Sequence, residues 1–461
     1  MAIDSNTDKV CIIGAGFSGV AAAKTFAERG IPFDCLEREK DIGGLWNPET
    51  NTGVVYDTTY LVSSRKYTGF DDYPMPEDYP TYPSHREALD YLRDYAREFG
   101  VLDRIEFNTN VEHVEHVEGG WRVQVAGEDR PRFYRALVIA SGHHDVPRVP
   151  KIPGKFTGEV MHSRDYRTLK QLTDKRVVVI GAGNSACDIV VDATSVARSI
   201  HHSMRRGTYF VPKFMLGRPT DGIVTFCEKI PMPRWLRNRV YTLWHRLMVG
   251  SNERYGLSEP EHRIMDTHPT MNTALPQLVA HGRIDVKPDI VAFAGRTVRF
   301  SDDSEVEADL VVFGTGYEIT IPFIDNGLLF GADRRPRLFL NVFHPEFDDL
   351  FTVGLIQANG SIWRLAEDQS KLVASFIVAA SQGHERARWL RKLKAQGAKR
   401  GSGSYVQSER HRLEANYFAY RRRLKRLLRA FGPMAEAKLD SGRLATGSPA
   451  PAEKALSPTS S

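Results

Sequence analysis

Residues 10–19, Val10-Cys11-Ile12-Ile13-Gly14-Ala15-Gly16-Phe17-Ser18-Gly19, read as a buried strand, a tight turn and the start of a helix. Four consecutive apolar residues suit a parallel strand covered on both faces. The Gly-x-Gly-x-x-Gly that follows lets backbone approach a pyrophosphate at the helix N-terminus. The pattern recurs as Val177-Val178-Val179-Ile180 followed by Gly181, Gly183 and Ala186 at the same offsets. One such match is weak, because glycine turns also serve strand–helix packing. Two matches, each with a ribose reader downstream, point to two dinucleotide folds in one chain.

The readers differ in charge. Twenty-three residues beyond Gly14 stands Glu37, after the apolar run from Phe33 to Leu36, and a carboxylate there accepts both ribose hydroxyls. The same count from Gly181 reaches Met204, within Ser203-Met204-Arg205-Arg206. A carboxylate repels a 2′-phosphate, whereas a hydroxyl beside two guanidinium groups binds one. The first site therefore suits FAD and the second NADPH.

At 461 residues the chain exceeds one core, and 26% charged with 41% hydrophobic residues is ordinary globular composition. No run approaches the roughly 18 apolar residues of a membrane span, and the N-terminus has no basic-then-apolar leader pattern, so a cytoplasmic location is expected. The net charge of +5 gathers in the C-terminal quarter. There Tyr417, Tyr420, Leu424, Leu428 and Phe431 fall at helical spacing with arginines between them, which reads as a solvated amphipathic helix rather than a nucleic-acid or membrane patch. Cys11, Cys35, Cys187 and Cys227 form no closely spaced dithiol, unlike the redox centre of a disulfide reductase, and no metal cluster stands out. His143-His144 and His201-His202 read as turn or sheet-edge residues, since neighbours on a strand point apart.

The expected architecture is α/β, with two Rossmann-like domains and the NADPH domain inserted in the FAD domain. Residues 8–153 would begin the FAD domain and 154–308 form the NADPH domain, with an insertion at about 207–275. The run Asp309-Leu310-Val311-Val312-Phe313 before Gly314-Thr315-Gly316 repeats the apolar-strand-then-glycine pattern of Ile139 to Gly142, suggesting a return to the FAD domain over 309–432. The proline-rich 146–153 reads as the linker, and 435–461 as a disordered tail.

Phe156-x-Gly158-x-x-x-His162-x-x-x-Tyr166 resembles the identifying sequence of flavin-containing monooxygenases, with Tyr166 where Baeyer–Villiger enzymes usually carry tryptophan. Gly43-Gly44-Leu45-Trp46, Phe70-x-x-Tyr73-Pro74-Met75-Pro76, Gly183-Asn184-Ser185, Gly354-Leu355-Ile356-Gln357 and Tyr405-x-x-Ser408-x-Arg410-His411 are similar to family segments in the same order, covering about 8 to 432. Mammalian members add a hydrophobic C-terminal anchor, and this sequence is expected to do without one.

The resemblance implies that NADPH reduces FAD, that O₂ adds to give a C4a-hydroperoxyflavin, and that one oxygen passes to a nucleophilic sulfur or nitrogen. With the fingerprints it implies cofactor contacts at Gly14, Gly16, Ser18, Gly19, Glu37, Arg38, Gly44, Leu45, Trp46, Leu61, Val111, Ser141, Gly142 and Gln357 around FAD. Gly181, Gly183, Asn184, Ser185, Ala186, Ser203, Arg205 and Arg206 are expected around NADPH, and Gly316, in the segment expected to return to the FAD domain, is a further expected cofactor contact. A family asparagine beside the flavin falls on Val62, so Val62 backbone, the Ser63 hydroxyl and the Arg65 charge are expected to replace it. Expected partners are O₂ and a small nucleophilic substrate, with no nucleic acid, no membrane span and homodimerisation left open. Baeyer–Villiger oxygenation and hydrogen-peroxide-forming NADPH oxidation remain alternatives.

Overall fold

The computed structural model describes residues 8–396, apart from 265 and 268, and residues 412–439. Both fingerprints form the elements their sequences specify. Val10–Ile13 is a wholly buried strand paired in parallel with Phe33–Leu36 on one side and Ala136–Ile139 on the other. Leu350–Thr352 and Ile105–Glu106 extend the sheet to five parallel strands. Arg176–Ile180 holds the same central place in a second five-stranded parallel sheet, between Leu310–Phe313 and Ser199–Ser203, with Glu159–His162 and Asp285–Lys287 outside them. The α/β architecture with two Rossmann-type domains is therefore as expected.

One boundary moves. Leu310–Phe313 pairs with Arg176–Ile180 in the second sheet, and Leu350–Thr352 is the strand that returns to the first. Residue 309 thus does not open the returning segment. The likeness of Leu310–Phe313 to Ala136–Ile139 has another cause: each strand lies beside its sheet's fingerprint strand and ends in a glycine turn. The two chain passages between the sheets also pair with each other, Val146–Pro147 running antiparallel to Tyr317–Glu318.

Helix Phe17–Glu28 packs on the long helix Ile362–Ser381, which in turn carries the C-terminal helix Tyr417–Phe431. Along that last helix Tyr417, Tyr420, Leu424, Leu427 and Phe431 are buried, and the arginines take the other faces. Leu427 holds the place expected for Leu428, which packs at the rim of the same stripe. Residues 435–439, expected in the tail, are ordered by packing: Leu439 is buried, its N–H donates to the Arg29 carbonyl at 2.9 Å, and Arg29 donates to the Ala437 carbonyl at 2.7 Å. The expected tail beyond 439 and the segment Tyr405–His411 lie outside the described residues.

The family-like Phe70 segment builds core. Phe70 is fully buried against Tyr95, Tyr91 and Trp363, and the Tyr91 hydroxyl accepts the Phe70 N–H at 2.9 Å while donating to the Tyr73 carbonyl at 2.5 Å. The loop that carries Val62 and Ser63 is tied at its two ends by the Leu61 N–H on the Pro83 carbonyl at 2.8 Å and the Arg65 N–H on the Thr81 carbonyl at 2.9 Å. The insertion after Arg206 contributes the hairpin Phe214–Met215 and Arg218–Pro219 and the helices Thr220–Cys227 and Arg234–Met248. Among the described residues no helix is long and apolar enough to cross a membrane.

Candidate active site

The first cradle is built on glycines, two of which, Gly14 and Gly19, cannot be replaced without a clash. A Cβ on Gly19 would lie 1.7 Å from the Gly14 carbonyl oxygen, so helix and strand approach this closely only with glycine there. Gly14 itself holds φ at +100°, a region L side chains avoid. Gly16 faces Gly44 across a narrow gap, its missing Cβ 3.8 Å from the Gly44 Cα. Two opposed glycines at a helix N-terminus leave the bare backbone surface that a pyrophosphate requires. Glu37 is buried and accepts the N–H of Ala15 at 2.5 Å and of Glu39 at 2.9 Å. Burial pushes its pKa upward, and the two donors oppose that shift. These residues fit FAD.

Around this cradle, Gly142 at φ +75° has open space where a Cβ would stand, and Ser141 beside it is exposed. Ser18 is buried beneath Gly354, where a Cβ would sit 2.1 Å from the Ser18 Oγ. Arg38 pairs with Asp145 at 3.1 Å, Trp46 packs edge-on to Trp363, and Leu45 receives the Val54 N–H on its carbonyl. Leu61 and Val111 are buried.

The second cradle repeats the design with one exchange. Gly181 adopts φ +121°, and a Cβ on Gly314 would meet the Ala186 Cβ at 2.5 Å, so the alanine at the third fingerprint position needs glycine opposite it. Gly183 caps the helix Asn184–Ala193, with Ser185 exposed on its first turn. Ser203 does not read a phosphate as it stands: it is buried and its hydroxyl donates to the Pro288 carbonyl at 2.7 Å. Arg205 and Arg206, just beyond that strand, are exposed and have no partner among the described residues. Two free guanidinium groups at the ribose-reading edge fit the 2′-phosphate of NADPH.

The carboxyl edges of the two sheets converge through side chains. The Gln357 amide meets the His144 Nε2 at 3.1 Å, the His144 ring packs on Tyr317, and the His162 Nε2 bonds to the Gly316 carbonyl at 3.0 Å. Burial depresses His143 well below the ordinary histidine range and His144 to about 4, so both are neutral near pH 7. His143-His144 lies in the connection after Gly142, with His143 at a bend. On the strand Ser199–Ser203 the two histidines diverge: His201 pairs with Asp285 at 2.9 Å, and His202 is buried on the Gly181 carbonyl at 2.6 Å.

A cavity of about 460 Å³ opens between the loop of Val62 and Ser63, the insertion and the C-terminal helix. Val62 and Ser63 line it beside the segment from Ala358 to Ser361, next to Gln357, and the insertion closes it with Val211, Met215, Val224, Trp244 and Met271. Asn184 of the second fingerprint accepts the Met271 N–H at 3.0 Å, which ties that wall to the NADPH cradle.

The three residues expected to replace the asparagine separate here. Val62 is 41% exposed at the cavity wall. The Ser63 hydroxyl lies 2.7 Å from the Thr68 hydroxyl, whose own proton goes to the Ser64 carbonyl at 2.8 Å, so Ser63 is the donor and its proton is engaged. Arg65 turns away, its guanidinium on the Glu77 and Tyr79 carbonyls, outside this cavity. Thr68, five residues on, and the folded-back loop after Pro74 claim these groups.

A set of residues spanning the sheets was not foreseen. Tyr56 donates to Asp188 at 2.8 Å, while Thr58 and Tyr166 both donate to Asp192, at 2.5 and 2.9 Å. Asp188 and Asp192 are four residues apart, on one face of the helix after the second fingerprint, and that spacing was the available signal. Tyr166 of the family-like motif is 1% exposed, so the motif acts here by joining the loop at 56–59 to that helix.

The family model described as "FMO-like: Flavin-binding monooxygenase-like" matches residues 7–447. The chain belongs to this family. It is 33% identical over 437 residues to flavin-containing monooxygenase 5 of Cavia porcellus, covering 89% of this chain and 80% of that protein. It is 32% identical to dimethylaniline monooxygenase [N-oxide-forming] 2 of Oryctolagus cuniculus, over 79% and 72% of the two chains. Among solved structures, the S-allyl-L-cysteine S-oxygenase from Allium sativum superposes with a TM-score of 0.63 at 23% identity, over 91% of this chain and 88% of that one. Closed cyclohexanone monooxygenase gives 0.65 at 18% identity, over 92% and 97%. Both likenesses are of fold. As a family member the chain is an NADPH- and O₂-dependent flavin monooxygenase using FAD and NADPH.

Proposed function

We propose that this monooxygenase oxygenates soft nucleophiles, sulfides and amines, in the cavity beside Val62 and Ser63. The observation that carries the reading is that one wall of this cavity, Met271, donates its N–H to Asn184 of the second fingerprint, while another wall, the segment from Ala358 to Ser361, follows directly on Gln357. A flavin held by Gly14, Gly16, Gly19, Glu37 and Gly44 would supply the redox chemistry, using electrons from NADPH to activate O₂ for transfer of one oxygen to the substrate. The overall balance is NADPH, H⁺, O₂ and R₂S giving NADP⁺, water and R₂SO. The protein's part is to bind, orient and exclude water. Arg205 and Arg206 hold the NADPH phosphate, Gln357 and neutral His144 fix the edge between the sheets, and Val211, Val224, Trp244 and Met271 keep the reacting space apolar. The backbone N–H groups of Val62 and Ser63, which have no partner among the described residues, are the donors that face the oxidant in place of an asparagine amide.

The test is product analysis with purified, FAD-loaded protein. Anaerobic NADPH should bleach the flavin, and methyl phenyl sulfide with O₂ should give sulfoxide at close to one per NADPH. Lactone from cyclohexanone without sulfoxide would replace this reading with Baeyer–Villiger oxygenation, and hydrogen peroxide alone with an oxidase.

A further inference from the structure

The wall of this cavity formed by the C-terminal helix carries more cations than the fold uses. Arg421, Arg422, Lys425 and Arg429 line it, with Arg364 from the neighbouring helix. The carboxylate lining it, Asp221, is occupied by the Ser64 N–H at 2.6 Å and the Ser64 hydroxyl at 3.1 Å. Three of the cations have structural work: Arg421 binds Asp368 at 2.9 Å and Asp71, Lys425 binds Asp71 at 3.1 Å, and Arg364 holds the Gly69 and Lys66 carbonyls. Two are left over. Arg422 has no partner among the described residues, and Arg429 bonds to the Lys425 carbonyl of its own helix at 3.2 Å. Both are exposed and on the cavity side.

Their placement follows from how the helix is pinned. The Tyr417 N–H donates to the Asn359 side chain at 3.0 Å, fixing the helix start two residues from Gln357 at the flavin edge. At 1.5 Å per residue, Arg422 and Arg429 stand roughly 7 and 18 Å along the axis from that point. Phe418, Arg422, Lys425 and Arg429 share one face at successive spacings of four, three and four.

We propose that the site selects substrates that carry, besides the oxygen-accepting sulfur or nitrogen on an apolar body, a carboxylate or sulfonate held by Arg422 and Arg429. This rests on the monooxygenase reading above and names the substrate class for it. The apolar insertion receives the body, the nucleophilic atom lies toward Val62 and Ser63, and the anion lies along the C-terminal helix.

The test compares 6-(methylthio)hexanoate with 6-(methylthio)hexan-1-ol, which differ in the charged end. Sulfoxide formation is measured with the FAD- and NADPH-loaded enzyme, and binding of each thioether by calorimetry. At low ionic strength the acid should exceed the alcohol in kcat/KM by about tenfold, the size of one charge-assisted contact. That ratio should fall toward one in Arg422→Glu/Arg429→Glu and in 0.5 M salt. An acid-to-alcohol ratio at or below one in the wild type, or one that the double variant leaves in place, overturns the proposal. If neither thioether is oxygenated while the acid still binds more tightly through these arginines, the anion site stands and the oxygenation reading fails. Equal oxygenation and binding of both leaves that reading standing and removes the anion site.

Discussion

The Tyr56 hydroxyl donates to the Asp188 carboxylate at 2.8 Å, joining the loop below the FAD cradle to the helix that begins the NADPH cradle. Asn272 also donates to Asp188 at 3.1 Å, and burial dominates, raising the Asp188 pKa to about 6. A carboxyl whose folded pKa exceeds its unfolded value is best tolerated protonated. Its contribution to stability is present below pH 4 and lost as pH rises through about 6. Asp188→Asn removes that dependence. The Tm difference between the variant and the wild type should therefore move in the variant's favour between pH 4 and 6 and then level off, as read by differential scanning calorimetry.

The two glycines of the first cradle should fail in different ways. Gly19→Ala puts a methyl into the Gly14 carbonyl and should abolish soluble, folded protein. Gly16→Ala meets nothing closer than 3.8 Å and should fold, with far-ultraviolet dichroism like the wild type, yet purify colourless because the methyl occupies the face a pyrophosphate needs. Flavin absorbance per protein decides it.

Arg205→Gln/Arg206→Gln should raise KM for NADPH by about tenfold or more and KM for NADH far less, since each charged contact to phosphate is worth roughly 1.5–3 kcal/mol. Equal loss with both nucleotides would remove these residues from the 2′-phosphate site.

At the cavity loop, Val62→Asn should restore a side-chain donor where the exposed valine offers none, lowering hydrogen peroxide released per NADPH. Ser63→Ala should change that leak little, because the Ser63 proton already goes to Thr68. A peroxide electrode under steady turnover measures both. A large leak in Ser63→Ala would show that the hydroxyl turns toward the oxidant.

The parts of the fold legible in sequence are those set by local rules. Four-residue apolar strands, positive-φ glycines and the charge contrast between Glu37 and Arg205-Arg206 each act within about 25 residues, and they identified both cradles. What escaped depends on partners that no local pattern specifies. The assignment of Leu310–Phe313 failed because equivalent strands of two similar sheets look alike until their partners are known. Arg65 and Ser203 carry suitable groups, but the Glu77, Tyr79 and Pro288 carbonyls take them. The cationic C-terminal helix was read as a solvated face, and its apolar stripe does pack as expected; that its other side borders a cavity follows only from the insertion folding back over it.

The antiparallel ribbon of Val146–Pro147 with Tyr317–Glu318 has a mechanical consequence. A domain tied on by one strand could swivel about it, whereas two strands laced together act as a strap with a preferred bending direction. Any rocking of the second Rossmann domain against the first must flex both passages at once, so it is confined to an arc rather than a free rotation.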